Sequence, residues 1–211
     1  MRHWKSVLLI SACTILAICP TLAIGQTVDC STIDFEGVGD YSPVGMVTAG
    51  AVAVTFGTSW LGIIDSDAPG GSDGDFANEP SASTIAFLND QNDVSIVFDP
   101  AVPYVDFWYT ASAGSVPLTV TAFDIGGVQV AQDVGTTVGS ASDGADCLGD
   151  PNGDFCLWDQ ITLFTSGNNI ASIQIVGAAT FDFGIDDLRH CNEEPVANDM
   201  TTWGSLKGLY R

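Results

Sequence analysis

Residues 94–123, VSIVFDPAVPYVDFWYTASAGSVPLTVTAF, carry the clearest indication of the fold. Three apolar runs stand in it, Val94–Phe98, Val102–Thr110 and Leu118–Phe123, and they are rich in valine, isoleucine, threonine and aromatic residues. Asp-Pro and a Gly/Ser/Pro segment separate them. Short β-branched and aromatic runs between such breakers are typical of β-strands joined by turns.

The same pattern extends over most of the chain, whereas helical periodicity is missing. Many short strands between turns rich in glycine indicate an all-β protein, an antiparallel β-sandwich or jelly roll. The other predicted strands are Ile33–Glu36, Val52–Phe56, Trp60–Ile64, Thr84–Leu88, Val128–Val134, Ile161–Phe164, Ile170–Val176 and Phe181–Leu188.

The N-terminus has the layout of a secretory signal peptide. Basic Arg2 and Lys5 precede an uncharged apolar run, Val7–Cys19, and small residues follow at Thr21–Ala23. The apolar run is short for a bilayer span. We therefore predict a signal peptide over 1–25, a β-sandwich domain over 26–191 and a linker with a C-terminal tail over 192–211, in a secreted or cell-surface protein.

The charge is strongly negative. The chain has 26 acidic and 5 basic residues, and without the signal only Arg189, Lys207 and Arg211 remain basic, so the net charge becomes about −23 (3 − 26). Such a surface repels nucleic acid and attracts cations, among which Ca²⁺ prefers carboxylate oxygens. The alternative is that the acids only confer solubility.

Four cysteines remain outside the predicted signal, an even number that indicates disulfides in an exported chain. Three pairings are open. We favour Cys147–Cys156, which closes a short loop, together with Cys30–Cys191, which joins the start of the domain to its end. A zinc site is not expected, because CxxC is missing.

Ile33-Asp34-Phe35-Glu36-Gly37 and Phe183-Gly184-Ile185-Asp186-Asp187-Leu188 resemble the first and last strands of galactose-binding-like jelly rolls of exported bacterial proteins, which include carbohydrate-binding modules. The segment Phe76–Ser81 is also similar. The resemblance implies a structural Ca²⁺ held by Glu36, Asp186 and Asp187.

Strand parity bears on the same site. Phe181, Phe183, Ile185 and Asp187 alternate, so Asp187 would face the core, where a carboxylate needs a partner such as a cation. By the same parity Asp186 and Glu36 would face solvent. The alternative is that the strand ends before Asp187 or that a bulge resets the phase.

A second metal loop is suggested by Asp150, Asn152 and Asp154, whose spacing matches the start of a Ca²⁺ loop. The later glutamate of that motif is missing, and a disulfide-closed acidic turn is the alternative. Asp65, Asp67, Asp73 and Asp75 form a third acidic cluster, for which a solvated loop is the simpler interpretation.

Aromatic side chains are the remaining ligand-binding signal, because sugars stack on exposed rings beside acids. The candidates are Trp60, Trp108, Tyr109 and Trp158; core packing is the alternative. His190 is the one histidine after the signal, and GxSxG, P-loop and GxGxxG motifs are missing, so no catalytic residue is predicted.

These observations favour a secreted, non-catalytic domain, stabilised by Ca²⁺, that binds an extracellular glycan or another cell-surface component. A structural or adhesive surface protein without a small ligand is the main alternative, and a glycoside hydrolase is the third. The tail Thr201–Arg211 couples aromatic and basic residues and resembles short C-terminal sorting tails.

Overall fold

The computed structural model describes residues 28–72, 74–90, 93–111, 118–135, 155–167, 169–176 and 183–192. The predicted signal peptide and the predicted tail lie outside these residues, and so do Asp150, Asn152 and Asp154. Twelve strands are present in the described part: β1 (Cys30–Ile33), β2 (Met46–Ala49), β3 (Val52–Phe56), β4 (Trp60–Ile64), β5 (Thr84–Leu88), β6 (Ser95–Val102), β7 (Tyr104–Ala111), β8 (Thr119–Phe123), β9 (Gln129–Val134), β10 (Asp159–Phe164), β11 (Ile170–Val176) and β12 (Phe183–Cys191).

The strands form two six-stranded antiparallel sheets. The front sheet has the order β10-β7-β12-β5-β4, with β1 paired to β12, and the back sheet has the order β2-β3-β6-β11-β8-β9. The chain passes back and forth between the sheets, as in a jelly roll. The predicted antiparallel β-sandwich is confirmed.

The main core lies between the sheets, because alternate residues of each strand point to the same face. Phe107 and Ile185 of the front sheet and Ile96 and Ile173 of the back sheet are fully buried there. Edge-to-face aromatic contacts run through this core from Phe35 to Phe56, Trp60 and Phe183, with ring centroids 5.5 to 6.2 Å apart.

A second, smaller apolar layer covers the outer face of the front sheet. Ile63 of β4 and Ile85 of β5 are buried there together with Phe76, and Phe87 and Phe155 pack against them. Phe76 belongs to the connection between β4 and β5, residues 65–83, which we call the roof loop. The front sheet therefore carries apolar side chains on both faces.

Two structural features differ from the sequence prediction. Strand β2 was not predicted, since Met46–Ala49 is short and two of its residues are exposed on the edge of the back sheet. The first strand spans Cys30–Ile33 rather than Ile33–Glu36. It ends before Phe35, whose φ of 57° is incompatible with an extended strand.

The predicted disulfide Cys30–Cys191 is confirmed, and it lies where β1 pairs with β12. Cys156 is also disulfide-bonded. Cys147 lies outside the described residues, so its pairing with Cys156 stays a prediction.

We expect the double substitution Cys30→Ala/Cys191→Ala to lower the free energy of unfolding. The two cysteines are 161 residues apart. Closing so long a loop restricts the unfolded chain by on the order of 5 kcal/mol in the chain-entropy model. Urea unfolding of the double variant and of wild type measures the difference. An unchanged unfolding midpoint would show that the disulfide does not stabilise the fold.

Candidate functional site

The outer face of the front sheet offers the clearest candidate site, and strand register builds its floor. Leu61 pairs with Phe87, Phe87 with Gly184, and Gly184 with Thr110, so these residues form one row across β4, β5, β12 and β7. A Cβ at Gly184 would lie 2.5 Å from Cδ1 of Ile85. Glycine at this point therefore lets Ile85 lie flat against the sheet.

Two segments close over this floor. Phe76 of the roof loop pairs with Phe155 in a parallel bridge, and the amide of Ala77 donates to the carbonyl of Phe155. On the other side, Pro43 pairs with Leu61, which places the neighbouring Tyr41 at the rim.

Between floor and roof lies a cavity of about 270 Å³, which we call the outer cavity. Four of its lining residues are aromatic and two carry side-chain oxygens besides the rim tyrosine. The lining consists of Tyr41, Ile63, Asp75, Phe76, Ile85, Phe87, Thr110, Phe155 and Gly184.

Thr110 is the unusual member of this lining. Only 1% of the residue is exposed, and its hydroxyl oxygen has no hydrogen-bond partner. An unsatisfied buried polar group costs about 1 to 3 kcal/mol, and native structures rarely leave one without a reason. A hydroxyl that lines a cavity and lacks a partner is suited to a hydrogen bond with a bound molecule.

A buried carboxylate holds the roof loop beside this cavity. Asp186 of β12 is fully buried, and its carboxylate accepts hydrogen bonds from the amide and the hydroxyl of Ser81, both at 2.8 Å. Burial raises the pKa of Asp186 to about 6, although the hydrogen bonds from Ser81 and from the Asp187 amide act in the opposite direction.

Glu79 of the roof loop belongs to the same acidic region. Burial raises its pKa from 4.5 to about 7, and the charges of Asp65 and Asp186 add to that shift, whereas a backbone hydrogen bond opposes it. One of its carboxylate oxygens is buried without a hydrogen-bond partner.

The prediction that Asp187 faces the core is wrong. The register of β12 shifts between Asp186 and Arg189, and Asp187 has a φ of 50°. This bulge resets the alternation, as the alternative interpretation allowed, so that Leu188 enters the core and Asp187 is only partly buried. Burial, followed by the charges of Asp34 and Asp106, raises the pKa of Asp187.

The three predicted calcium ligands do not converge. The Glu36 carboxylate accepts hydrogen bonds from the amides of Ser83 and Thr84 and from the Thr84 hydroxyl, whereas Asp186 is held by Ser81. Across the residues that the structure describes, no group of three or more His, Cys, Asp or Glu side chains could hold a metal ion. Glu36, Asp186 and Asp187 as placed here therefore do not fit a shared ion.

The four predicted aromatic ligands divide into two pairs. Trp60 is fully buried and Tyr109 is 1% exposed, so neither ring can stack on a ligand, because both pack in the main core. Trp108 is half-buried on β7. Trp158 is half-buried too, packs beside Phe76 and donates from its indole to the carbonyl of Ala77. A ligand role for these two stays a prediction.

The aromatic residues of the outer cavity were missed by the sequence prediction. Strand β5, TIAFL, offered one signal, because it is apolar on both faces and therefore indicates burial on both sides. Tyr41, Phe76 and Phe155 come from three distant segments with no local pattern in common.

Two other polar groups of the front sheet lie outside the lining of the outer cavity. Arg189 forms an ion pair with Asp106 and lies 5.6 Å from the centroid of the Tyr104 ring. His190 is buried between the sheets against the Phe98 ring, and burial lowers its pKa. Neither faces the outer cavity, so the described part brings no basic group to it.

Comparisons with known proteins give likenesses of shape. No family model and no curated protein matches the chain. Among solved structures, the K2 cleaved adhesin domain of Lys-gingipain is 13% identical at a TM-score of 0.44, over 79% of this chain and 98% of that one. The CBM22-1 xylan-binding domain of Paenibacillus barcinonensis Xyn10C is 11% identical at 0.35, over 79% of this chain and 94% of that one.

A third similar structure is the K1 cleaved adhesin domain of Lys-gingipain from Porphyromonas gingivalis W83, 16% identical at a TM-score of 0.36, over 69% of this chain and 100% of that one. These likenesses assign neither a family nor a ligand. In the described segments no helix is long and apolar enough to cross a membrane.

The raised pKa of Glu79 predicts a pH dependence of stability. Between its ordinary pKa of 4.5 and about 7, the folded state binds more protons at Glu79 than the unfolded state does. The stabilising contribution is therefore complete below pH 4.5 and is lost as the pH rises through 7. Glu79→Gln stays neutral throughout.

We expect the melting temperature of Glu79→Gln, relative to wild type, to rise by several degrees between pH 4.5 and pH 8. Comparison of the two proteins at each pH cancels the opposite contribution of His190. Asp67→Asn, on an exposed part of the roof loop, controls for the removal of one negative charge. A difference between Glu79→Gln and wild type that does not change with pH would refute the burial of this carboxyl group.

Proposed function

We propose that this protein is a secreted, non-catalytic domain that binds an extracellular carbohydrate in the outer cavity. The observation that carries the proposal is the composition of that cavity, which is lined by four aromatic residues together with Asp75 and with Thr110, whose hydroxyl has no partner. Ligand sites are concave, mostly apolar and supplied with a few oriented polar groups.

The chemistry of a sugar ring fits such a lining. The apolar C–H face of a pyranose packs on aromatic rings, while its hydroxyls bond to oxygen groups at the edge. Tyr41 is 46% exposed at the rim, so its ring is accessible to a ligand. A volume of about 270 Å³ lies just under the range of about 300 Å³ and above that is usual for small-molecule sites. The cavity therefore suits one sugar ring, such as the end of a chain.

A binding role is favoured over hydrolysis by the placement of the polar groups. Asp75 is the one carboxylate that lines the cavity in the described part, whereas glycosidases use two that flank the scissile bond. Asp186 is fully buried and bound to Ser81, so it offers no second carboxylate to a ligand.

An adhesive surface protein without a small ligand is the second candidate. It is favoured by the turn between β8 and β9, where Ile125 is 96% exposed and Val128 is 62% exposed. Exposed apolar residues in a turn can contact another macromolecule. Binding that depends on this turn and not on the outer cavity would favour this candidate.

We also propose that Ca²⁺ stabilises the folded protein, and we assign the ion to no particular residues. The excess of 26 acidic residues over 5 basic ones supports it, because carboxylates that repel one another are relieved by a cation. An ion that binds only the folded state stabilises it by about 2.7 kcal/mol at a hundredfold excess over Kd.

We expect millimolar Ca²⁺ to raise the melting temperature by several degrees, and EDTA to reverse the effect. NaCl at matched ionic strength controls for screening of the surface charge. Mg²⁺ should act less, because it gives up its water reluctantly. Equal effects of the three salts would rule out a specific calcium ion.

Thr110→Val gives the sharpest test of the outer cavity, because it removes one hydroxyl at nearly constant shape. We expect it to stabilise the protein by about 1 kcal/mol, since the hydroxyl has no partner, and to weaken ligand binding at least about tenfold. A glycan array identifies the ligand, calorimetry measures its affinity, and urea unfolding measures stability.

Thr84→Val is the matched control. Thr84 is also buried, but its hydroxyl donates to Glu36, so its loss should destabilise the protein and leave affinity unchanged. If no glycan binds, or if Thr110→Val binds its glycan as tightly as wild type, the proposal is wrong.

A further inference from the structure

The outer cavity combines features that recognise positive charge. Four aromatic residues, Tyr41, Phe76, Phe87 and Phe155, line a small space together with Asp75. Aromatic ring faces are electron-rich and attract a cation, more strongly when the cation is desolvated, and cages of such rings bind ammonium groups. Asp75 is an acidic residue of the same lining and adds a formal negative charge there.

The charge of the whole chain acts in the same direction. With 26 acidic and 5 basic residues, the field around the protein attracts cations and repels anions. Arg189 is the one Lys or Arg in the described ranges, and it is paired with Asp106. No cation is therefore at hand in the described lining to hold the carboxylate or sulfate of an acidic sugar.

The polar groups of the cavity are few for a neutral sugar. A neutral pyranose carries several hydroxyls, and each one buried without a partner reduces affinity. Besides Asp75, the cavity offers the hydroxyl of Thr110 in its interior and Tyr41 at its rim. A ligand with one positively charged group and one adjoining hydroxyl matches these few polar groups better than a neutral sugar does.

We propose that the outer cavity binds an amino sugar whose amino group is free and protonated, with the ammonium among the aromatic rings near Asp75 and an adjoining sugar hydroxyl at Thr110. The proposal rests on the proposed function, which it narrows to one class of glycan. The unpartnered hydroxyl of Thr110 favours a sugar over a lysine side chain, because the stem of lysine has no polar group next to its ammonium.

Three oligosaccharides of equal length test this class by calorimetry: a glucosamine oligomer with free amines, its fully N-acetylated form, and a glucose oligomer. We expect the free-amine form to bind at least about tenfold more tightly than the other two. A lysine oligomer of equal charge measures general attraction to the acidic surface, and it should bind more weakly than the glucosamine oligomer.

Asp75→Asn should remove this preference by lowering affinity for the free-amine form about tenfold while leaving the N-acetylated form nearly unchanged. Asp99→Asn, an exposed position on the back sheet, changes the net charge equally and should have no effect. Tyr41→Ala should weaken binding as well, whereas Phe164→Ala, with a ring of similar exposure outside the cavity, should not.

The outcomes separate this inference from the proposed function. Equal binding of the three oligosaccharides, with loss in Thr110→Val, would overturn the amino-sugar inference and leave carbohydrate binding intact. Equal losses in Asp75→Asn and Asp99→Asn, or tighter binding of the lysine oligomer, would overturn it in favour of general charge attraction. If no oligosaccharide binds in a manner that depends on Thr110, both proposals fail.

Discussion

The hydrogen bonds between Asp186 and Ser81 are the interaction on which the candidate site depends. They join the central strand of the front sheet to the roof loop, at 2.8 Å from both the amide and the hydroxyl of Ser81. A carboxylate as deeply buried as that of Asp186 is stable only when such donors compensate its lost hydration. The roof loop is therefore held over the sheet by a polar contact. The same contact positions Phe76, which belongs to this loop, in the lining of the outer cavity.

This arrangement explains why the outer layer is incomplete. The main core is filled by side chains that interdigitate between two sheets. In the described part of the chain, the outer layer is filled by the roof loop and by residues 155–158. Loops cannot match the packing of a second sheet, so a cavity remains between Phe76, Phe155 and the floor of the sheet. The Thr110 hydroxyl has no partner at that point and therefore lowers the stability of the fold. A ligand that forms a hydrogen bond with it would remove this penalty.

The β-sandwich and the Cys30–Cys191 disulfide could be predicted because both follow from patterns that are visible in the sequence. Alternating β-branched runs indicate strands, and cysteines at the two ends of the strand series suggested the Cys30–Cys191 pair. The position of Asp187 could not be predicted, since a bulge depends on how a strand pairs with its neighbours. Trp60 was misjudged because a large aromatic residue beside an acidic loop gives the same pattern whether its ring faces a ligand or the core.

The outer cavity was beyond sequence reasoning for a further reason. Its residues come from the segment before β2, the roof loop, β4, β5, β7, β12 and the segment before β10, and only the folded register brings them together. The apolar character of both faces of β5 predicts a covered outer face, but it does not reveal that the cover leaves a space.

Methyl NMR of an isoleucine-labelled sample tests whether the outer cavity is the ligand site. Ile63 and Ile85 line the outer cavity, whereas Ile96 and Ile173 are buried between the sheets on the back-sheet side. During titration with the glycan bound by the wild-type protein, we expect saturable shifts of the Ile63 and Ile85 methyl signals, with Ile96 and Ile173 nearly unmoved. Shifts confined to isoleucines outside the cavity, or saturable binding that moves none of them, would contradict this assignment of the site.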